Sequence, residues 1–255
     1  MQSKINRSTL HSIDWSAQAC LAFTTTRVHP LKDPSAAIED HYGGFNLALH
    51  VGDNTQRVLD NRALLQKFLP EGCQLQWLTQ VHGATVITVT KVTAQAITAD
   101  AQITRERHIA LAIMTADCLP ILLAAADGSE VAAIHGGWRS LSQQIIANTI
   151  QAMTTPANKL VAWLGPCIGQ LAFEVNDEIK AIFVAQNPAL LAAFMPSKAG
   201  HCLASLPFIA QQQLQQCGVA NINALSHCTF SQYHQYYSYR RESVTGRMAT
   251  IICRA

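Results

Sequence analysis

The stretch IALAIMTADCLPILLAAA, residues 109–126, decides the fold of this chain. It is about as long as a membrane-spanning helix, yet Asp117 and Pro120 lie at its centre and small residues occur throughout it. We interpret the stretch as two buried strands, Ile109–Thr115 and Leu119–Ala125. The turn between them contains the aspartate and a cysteine, and it is therefore a candidate functional turn.

Two other apolar runs also end at residues that bind metals. Val131–Ile134 leads into His135, and Leu75–Val81 leads into His82. The end of a strand presents side chains to a cleft from a rigid scaffold. The sequence therefore predicts that these two histidines and Cys118 form one site.

The composition is that of a folded protein with a large core. Of the 255 residues, 49% are apolar and only 13% are charged, against a usual charged fraction of about 25%. Intrinsic disorder is excluded on the same grounds. The length permits one large domain, and we take residues 1–255 as a single domain.

Helices and strands mix along the chain without strict βα alternation, which predicts an α+β fold: a layered sandwich of mixed β-sheet with flanking helices. Apolar spacing and caps predict helices over Thr55–Leu69, Leu141–Met153, residues 175–195 with a break at Pro188, and Ser205–Cys217. Runs rich in Val, Ile and Thr predict further strands over Ala84–Thr90, Leu160–Leu164 and Arg247–Cys253.

Charge and cysteine usage narrow the class of protein. The formal net charge is +2, and no run of Lys and Arg is longer than two residues, so a general nucleic-acid surface is not expected. The N-terminal residues contain no apolar segment typical of a secretory signal, which predicts a cytoplasmic protein with no membrane partner. The eight cysteines are then expected as free thiols, and no C-x-x-C pair occurs. No oligomeric state follows from the sequence.

Several chemistries remain open for the Cys–His–His set. Zinc prefers thiolate and imidazole ligands, and three protein ligands leave a fourth position free in catalytic sites. His82, Cys118 and His135 can supply that set, but Cys118 can equally be a nucleophile with a histidine as its base. A copper site is a third possibility, and two structural histidines beside a buried thiol are the plain alternative. With ten histidines and no His-x-His pair, the chain cannot assemble a four-copper laccase centre.

Other polar residues are candidates for substrate contacts. Asp117 can orient a ligand or serve in acid–base work, or it can simply bond its own turn. Asn46 follows a Gly-Gly turn and can hydrogen-bond a substrate. Arg62 lies on the first predicted helix, where it reaches a pocket anion or solvent. Arg240 and Arg247 can hold a phosphate through paired hydrogen bonds.

The motifs together resemble those of the laccase-domain family, whose bacterial members are also called polyphenol oxidases, purine nucleoside phosphorylases or peptidoglycan editing factors. The resemblance runs from about residue 20 to the C-terminus. It rests on FNL at 45–47, HVGD at 50–53, QVHG at 80–83, TADCLP at 115–120, HGGWR at 135–139, GPCIG at 165–169, and YRR with TGR at 239–241 and 245–247.

The resemblance implies a single zinc ion held by the residues that match His82, Cys118 and His135. It also implies phosphorolysis of purine nucleosides such as adenosine, inosine and methylthioadenosine, with some adenosine deamination. Inorganic phosphate would bind at Arg62 or in the region of the two late arginines, and Asn46 and Tyr239 would hold the nucleoside. Other family labels concern copper-dependent oxidation of phenols and the editing of cytoplasmic cell-wall precursors.

The chain departs from the family pattern at two places. Family members usually have Ala and Gly where this chain has Gly136 and Ser140. An acidic residue that is commonly present before the late helix is replaced by Ser205, which puts any role of that carboxylate in doubt.

Overall fold

The structure, a computed structural model, describes residues 9–13, 15–31 and 40–254, so the N-terminal segment inspected for a signal lies outside the described residues. The helices are α1 (Thr55–Gln66), α2 (Trp138–Ser142), α3 (Ile145–Ala152), α4 (Asp177–Gln186) and α5 (Leu206–Gln216). The strands are β1 (Leu10–Ser12), β2 (Cys20–Thr25), β3 (Gln74–Gln76), β4 (Leu78–Thr79), β5 (Val86–Thr88), β6 (Ile97–Thr98), β7 (Ala101–Thr104), β8 (Ile109–Thr115), β9 (Leu119–Ala125), β10 (Val131–Gly136), β11 (Leu160–Leu164), β12 (Glu174–Asn176), β13 (Phe194–Pro196), β14 (His201–Ala204), β15 (Asn221–Ala224) and β16 (Met248–Arg254).

Most of the strands belong to two large sheets. Sheet I has the order β1-β2-β16-β8-β3, and sheet II has the order β15-β11-β9-β10-β7-β5. Most neighbours are antiparallel, but β3 with β8, β5 with β7 and β11 with β15 are parallel. A three-stranded sheet (β12-β14-β13) and a β4-β6 pair complete the strand pairing within the described residues. The mixed α+β fold predicted from the sequence is confirmed.

The layers of the fold are defined by what packs against each face of the two sheets. Ile113 of β8 and Leu122 of β9 belong to the core between the two sheets. Ala112, on the opposite face of sheet I, packs with Leu65 of α1. Ile121, on the opposite face of sheet II, belongs to the core that includes α3 and α5. The molecule is therefore a sandwich with helices outside both sheets.

The stretch at residues 109–126 forms two strands with the predicted bounds, β8 and β9. Every residue of both strands is buried. Because side chains on both faces of each strand meet a packed layer, the strands are continuously apolar rather than alternating. The turn between them crosses from sheet I to sheet II. No helix within the described residues combines the length and the apolar character that crossing a membrane requires.

The helix predicted over Leu141–Met153 is wrong as a single element. It is two helices, α2 and α3, because Gln144 adopts a left-handed conformation with φ of 62° that a continuous helix cannot include. The side chain of Gln186 donates a hydrogen bond of 2.7 Å to the carbonyl of Ser142, which satisfies a group freed by the break.

The strand predicted over Leu75–Val81 is also wrong in extent, since β3 and β4 end before residue 80. The side chain of Gln80 continues the pairing in place of backbone: its oxygen accepts from the Met114 N–H and its amide donates to the Met114 carbonyl, both at 2.8 Å. His82 therefore lies in a loop rather than at the end of a strand. The strand predicted over Ala84–Thr90 is likewise shorter, as β5.

The other predicted helices are confirmed in position, but the observed helices are shorter than predicted. Asn54 caps α1 through a hydrogen bond of 3.0 Å from Arg57 N–H, and α1 ends at Gln66. The segment 175–195 contains α4 and then a 3₁₀ turn that begins at Pro188, so the predicted break lies at the proline.

Candidate metal centre and its cavity

Three side chains predicted to form one site do lie together. One ligand atom from each of His82, Cys118 and His135 lies within 4.8 Å of the other two. The Cys118 sulfur is 3.8 Å from Nε2 of His82, and the two imidazole ring centroids are 4.7 Å apart. A group of three or more His, Cys, Asp or Glu side chains that can hold a metal ion occurs only here within residues 9–13, 15–31 and 40–254.

Cys118 is presented by a sharp turn between the two sheets. Asp117, just before it, has φ of 97°, a conformation that costs a non-glycine residue about 1–3 kcal/mol. The Asp117 carboxylate accepts hydrogen bonds from Thr229 Oγ1 at 2.7 Å and from the Arg240 N–H at 2.6 Å. Its carbonyl accepts from the Ile168 N–H at 2.9 Å. These contacts stabilise the strained residue and fix the position of the thiol.

The two histidines share a buried carboxylate that the sequence reasoning missed. His135 lies on β10, and its Nδ1 donates to Oδ1 of Asp100 at 2.8 Å. Asp100 directly precedes β7 and also accepts hydrogen bonds from backbone N–H groups of residues 81–83, in the loop that carries His82. A signal was present, because the tripeptide Thr-Ala-Asp occurs at both 98–100 and 115–117. In both tripeptides the hydrogen bonds of the aspartate stabilise the backbone close to one of the three candidate ligands.

Gly137 leaves the space between the three side chains open. A Cβ on this residue would lie 3.1 Å from Cδ2 of His82, 3.2 Å from the sulfur of Cys118 and 3.7 Å from Cε1 of His135. All three candidate ligands thus surround a space that one additional carbon atom would fill.

The electrostatics favour the ligating form of the thiol. Burial alone would raise the pKa of Cys118, but the charge of His135 and hydrogen bonds from both imidazoles lower that pKa to about 6. Burial would correspondingly lower the pKa of His135, yet the neighbouring Cys118 and the hydrogen bond to Asp100 raise it to about 9. The thiolate is the form of cysteine that binds metals and attacks electrophiles.

The residues therefore fit a metal ion with soft ligands. One thiolate and two imidazoles match the ligand preference of zinc, and three protein ligands are the number found in open, catalytic zinc sites. The hydrogen bond to Asp100 occupies Nδ1 of His135 and leaves Nε2 for a metal. A carboxylate behind a ligating histidine is the usual arrangement in such sites.

The three side chains open into one cavity of about 370 Å³, which lies within the range of small-molecule sites, about 300–1,000 Å³. Its wall combines cations, aromatic rings and apolar side chains. Residues that line it besides the triad include His50, Gln80, Met114, Asp117, Arg139, Ile168, Phe173, Tyr239, Arg240 and Arg247.

One side of this cavity is electropositive. Burial lowers the pKa of His50, and the charges of Arg247 and Arg62 lower it further, so His50 is held neutral beside cations. Burial also lowers the pKa of Arg247. The cavity can therefore accept an anion beside its arginines.

Residues 23–255 match the family described as multi-copper polyphenol oxidoreductase laccase. The chain belongs to this family. It is 37% identical to the purine nucleoside phosphorylase of Pseudomonas aeruginosa over 241 residues, which cover 94% of this chain and 96% of the relative. It is 39% identical to the purine nucleoside phosphorylase of Haemophilus influenzae over 235 residues, 91% of this chain and 93% of the relative.

A solved structure has the same fold. The crystal structure of a Neisseria meningitidis protein superposes with a TM-score of 0.89 and is 34% identical to this chain, covering 96% of it and 98% of the solved chain. The family resemblance predicted from the sequence motifs is confirmed.

Two of the predicted substrate residues of this laccase-family protein do not line the cavity. Asn46 is buried, and its side chain bonds Asp53 Oδ2, the Ala48 backbone and the Arg247 N–H. Arg62 donates to the Leu47 carbonyl at 2.8 Å, and burial lowers its pKa to about 10. Their predicted contacts with substrate remain predictions, and both side chains already stabilise the loop around residues 46–48.

The other predicted residues do line the cavity. The ring of Tyr239 is exposed, and the Arg247 guanidinium lies 5.8 Å from its centroid. Arg240 donates to the carbonyls of Ala172 and Glu174 at 3.2–3.3 Å, so its guanidinium is partly engaged. His50 and Arg139 also line the cavity and were not singled out by sequence; Arg139 lies in the HGGWR motif quoted for the resemblance.

Both departures from the family pattern have a local structural setting. A Cβ on Gly136 would lie 2.7 Å from the Leu119 carbonyl oxygen, so this chain packs the β9–β10 pair more closely than alanine permits. Ser205 caps α5 by accepting a hydrogen bond of 3.3 Å from the Phe208 N–H. The serine thus keeps the capping role of an acidic residue without its charge.

Proposed function

We propose that this protein is a zinc-dependent purine nucleoside phosphorylase. The observation that carries the proposal is one cavity that combines the His82, Cys118 and His135 cluster with arginines and aromatic rings. The substrate class is supported by relatives named purine nucleoside phosphorylase that match more than nine-tenths of the chain. The cytoplasmic location expected from the sequence and the single-domain organisation are part of the same proposal.

Bound by the triad, zinc would supply a Lewis acid that polarises an oxygen atom in the cavity. The protein's own contribution is to hold the reactants. In phosphorolysis an oxygen of inorganic phosphate attacks C1′ of the ribose, the C1′–N9 bond breaks, and the base leaves with the electron pair and takes up a proton. The attacking phosphate oxygen and the flat base must therefore be held on opposite faces of C1′.

Arg139 and Arg247 are the arginines most available to phosphate. Arg247 uses Nη1 on the carbonyls of Thr245 and Gly246, which leaves Nε and Nη2 for a ligand. The Arg139 guanidinium stacks on Trp138 at 4.5 Å, and no hydrogen bond of it is found within the described part of the chain. A fork of planar donors suits the paired oxygens of phosphate.

The base would lie on aromatic side chains. Phe173 and Tyr239 also line the cavity, and a purine ring stacks readily on such rings. The exposed Tyr239 ring gives the base an aromatic face at the mouth of the cavity.

The direct test is turnover of adenosine by purified protein with and without inorganic phosphate, with adenine, ribose 1-phosphate and inosine separated by chromatography. The proposal predicts phosphate-dependent adenine release together with bound zinc. Inosine formation would reveal the accompanying deamination that the family resemblance implies. Cys118→Ser should lose both zinc and turnover. Cys217→Ser, at the end of α5, should retain both; adenine release by the Cys118 variant would contradict the proposal.

A second candidate is a cysteine-type hydrolase. The order Cys118, His135, Asp100 matches a nucleophile, its base and the group that orients the base. His82 has no function in such a triad, yet its Nε2 lies 3.8 Å from the sulfur. The metal account uses both histidines and is therefore preferred.

An alkylating reagent separates the two accounts. If zinc is bound, Cys118 should be alkylated only after chelation, whereas a free nucleophile should be alkylated in the protein as purified. His82→Ala adds an independent outcome, because it should abolish zinc binding but leave the thiol, His135 and Asp100 together. Copper-dependent oxidation of phenols is checked in the same protein by loading copper and following a phenolic substrate.

A further inference from the structure

Within the described chain, Asp100 is the only residue whose carboxylate contacts both histidines of the cluster. Its side chain is completely buried. Oδ1 accepts from Nδ1 of His135 at 2.8 Å and from the backbone N–H of His82 at 2.9 Å. Oδ2 accepts from the N–H of Gly83 at 2.7 Å and of Val81 at 3.3 Å. Four donors therefore converge on two oxygens.

The contact with His135 selects one tautomer of its ring. A carboxylate only accepts hydrogen bonds, so the proton of the neutral imidazole must be on Nδ1. Nε2 then has its lone pair free on the side of the cluster. Asp100 is held in register for this contact, because its carbonyl accepts from the His135 N–H at 2.8 Å. The next residue, Ala101 of β7, pairs with Ile134 of β10.

The contact with the loop selects the conformation that places His82. His82 has φ of 59°, in the left-handed region that non-glycine residues rarely adopt. Successive backbone N–H groups that converge on an anion form a nest, and the anion stabilises the otherwise unfavourable backbone. The anion of this nest is the carboxylate of Asp100, so the ring of His82 is placed by the residue that directly precedes β7 of sheet II.

We propose that Asp100 is the positioning residue of the metal centre, which couples the tautomer of His135 to the loop conformation of His82. The two histidine ligands would then become competent together. This inference rests on the metal centre of the proposed function, but not on the identity of the nucleoside or on phosphorolysis.

The test is zinc affinity measured by competition with a chromophoric chelator, on the full chain stripped of metal. Asp100→Asn keeps the shape of the side chain but replaces one acceptor oxygen with a donor nitrogen that faces donors. Zinc binding should weaken by about 10–100-fold, as for other changes behind metal ligands. Asp127→Asn, in the exposed turn at the far end of the β9–β10 hairpin, is the matched control and should bind zinc like the unchanged chain.

Two further readouts separate positioning from general destabilisation. Imidazole ¹⁵N spectra of the metal-free protein, recorded at a pH where the ring of His135 is neutral, should show His135 protonated at Nδ1 in the unchanged chain and a mixture of tautomers in Asp100→Asn. Amide exchange at residues 81–83 should accelerate while exchange in β8 and β9 does not. Asp100→Glu, which keeps the charge, provides a second variant if the asparagine chain does not fold.

Unchanged zinc affinity in Asp100→Asn, or weakened affinity with the His135 tautomer and the loop amides both unchanged, would overturn the proposal. If instead the chain binds zinc as predicted but releases no adenine from adenosine, the proposed function fails and the role of Asp100 stands.

Discussion

Adding one methyl group at Gly137 should separate metal binding from folding. The backbone of Gly137 has φ of −67° and ψ of 156°, which alanine adopts without strain. The new Cβ would lie 3.1 Å from Cδ2 of His82 and 3.2 Å from the sulfur of Cys118. It therefore contacts the candidate metal ligands rather than the backbone.

The two consequences of Gly137→Ala have opposite signs. Replacing glycine by alanine where the backbone permits it stabilises a protein by about 0.4–1 kcal/mol, because the unfolded chain loses freedom. The contacts at 3.1 and 3.2 Å are closer than ordinary packing, so both ligand side chains must move by a few tenths of an ångström. Metal sites tolerate about 0.2 Å in ligand distances. We therefore expect zinc affinity to fall by about 10–100-fold, with the free energy of unfolding of the metal-free protein unchanged or slightly higher.

The assay combines chelator competition for zinc with urea unfolding of the metal-free chain. Gly136→Ala is the matched control, because its Cβ would lie 2.7 Å from the Leu119 carbonyl oxygen, a backbone atom. That variant should lose about 1–3 kcal/mol of stability. If Gly137→Ala binds zinc as tightly as the unchanged chain, the space between the three side chains is not the metal position and the reasoning is refuted.

Three other predictions test separate parts of the molecule. Glu130 is buried and accepts hydrogen bonds from two backbone amides and one arginine, so Glu130→Gln should cost about 1.5–3 kcal/mol at pH 7 in urea unfolding. Although burial alone would raise the pKa of Glu130, these hydrogen bonds lower it below the ordinary value of 4.5. Its contribution is therefore full above pH 4.5 and is lost as pH falls through the folded-state pKa, so the gap between the two chains should close in acid; a constant gap would contradict this. Ser205→Ala should lower the free energy of unfolding by about 1 kcal/mol and Ser205→Asp should not, whereas equal losses would exclude capping as the reason. Arg139→Ala and Arg247→Ala should each raise KM for phosphate in adenosine phosphorolysis more than KM for adenosine, and the reverse pattern would place the phosphate elsewhere.

The central strands could be predicted from the sequence because their packing leaves a direct mark on it. The strands β8 and β9 are buried on both faces, so every position is apolar and the bounds are visible. Short, partly polar strands such as β12 and β15 have no such pattern. The break in the helix predicted over 141–153 was also invisible, since Gln144 is an ordinary helix residue by sequence, and its left-handed backbone and its hydrogen bond to Gln186 appear only in the structure.

The candidate site was predictable only in part, because only some of its residues have a local signal in the sequence. Cys118 follows the buried strand β8 and His135 lies near the end of the buried strand β10, and an apolar run that leads into a metal-binding residue is a local signal. Asp100 acts through amides 17–19 residues earlier in the chain and through a ring 35 residues later, so its contacts leave no local pattern and its one sequence signal is the repeated Thr-Ala-Asp tripeptide. For Asn46 the sequence alone could not separate two roles: a polar residue in a turn is a candidate substrate contact, and in the structure its side chain makes hydrogen bonds within the fold.

X-ray absorption at the zinc edge tests most directly whether His82, Cys118 and His135 hold one metal ion together. For the full chain loaded with zinc, the account predicts one sulfur ligand at about 2.3 Å and two imidazole nitrogens at about 2.0–2.1 Å, with a further light-atom ligand. Cys118→Ser and His82→Ala should show no such first shell, because neither variant should retain zinc. A first shell of the full chain without sulfur, or one with fewer than two imidazoles, would contradict the assignment.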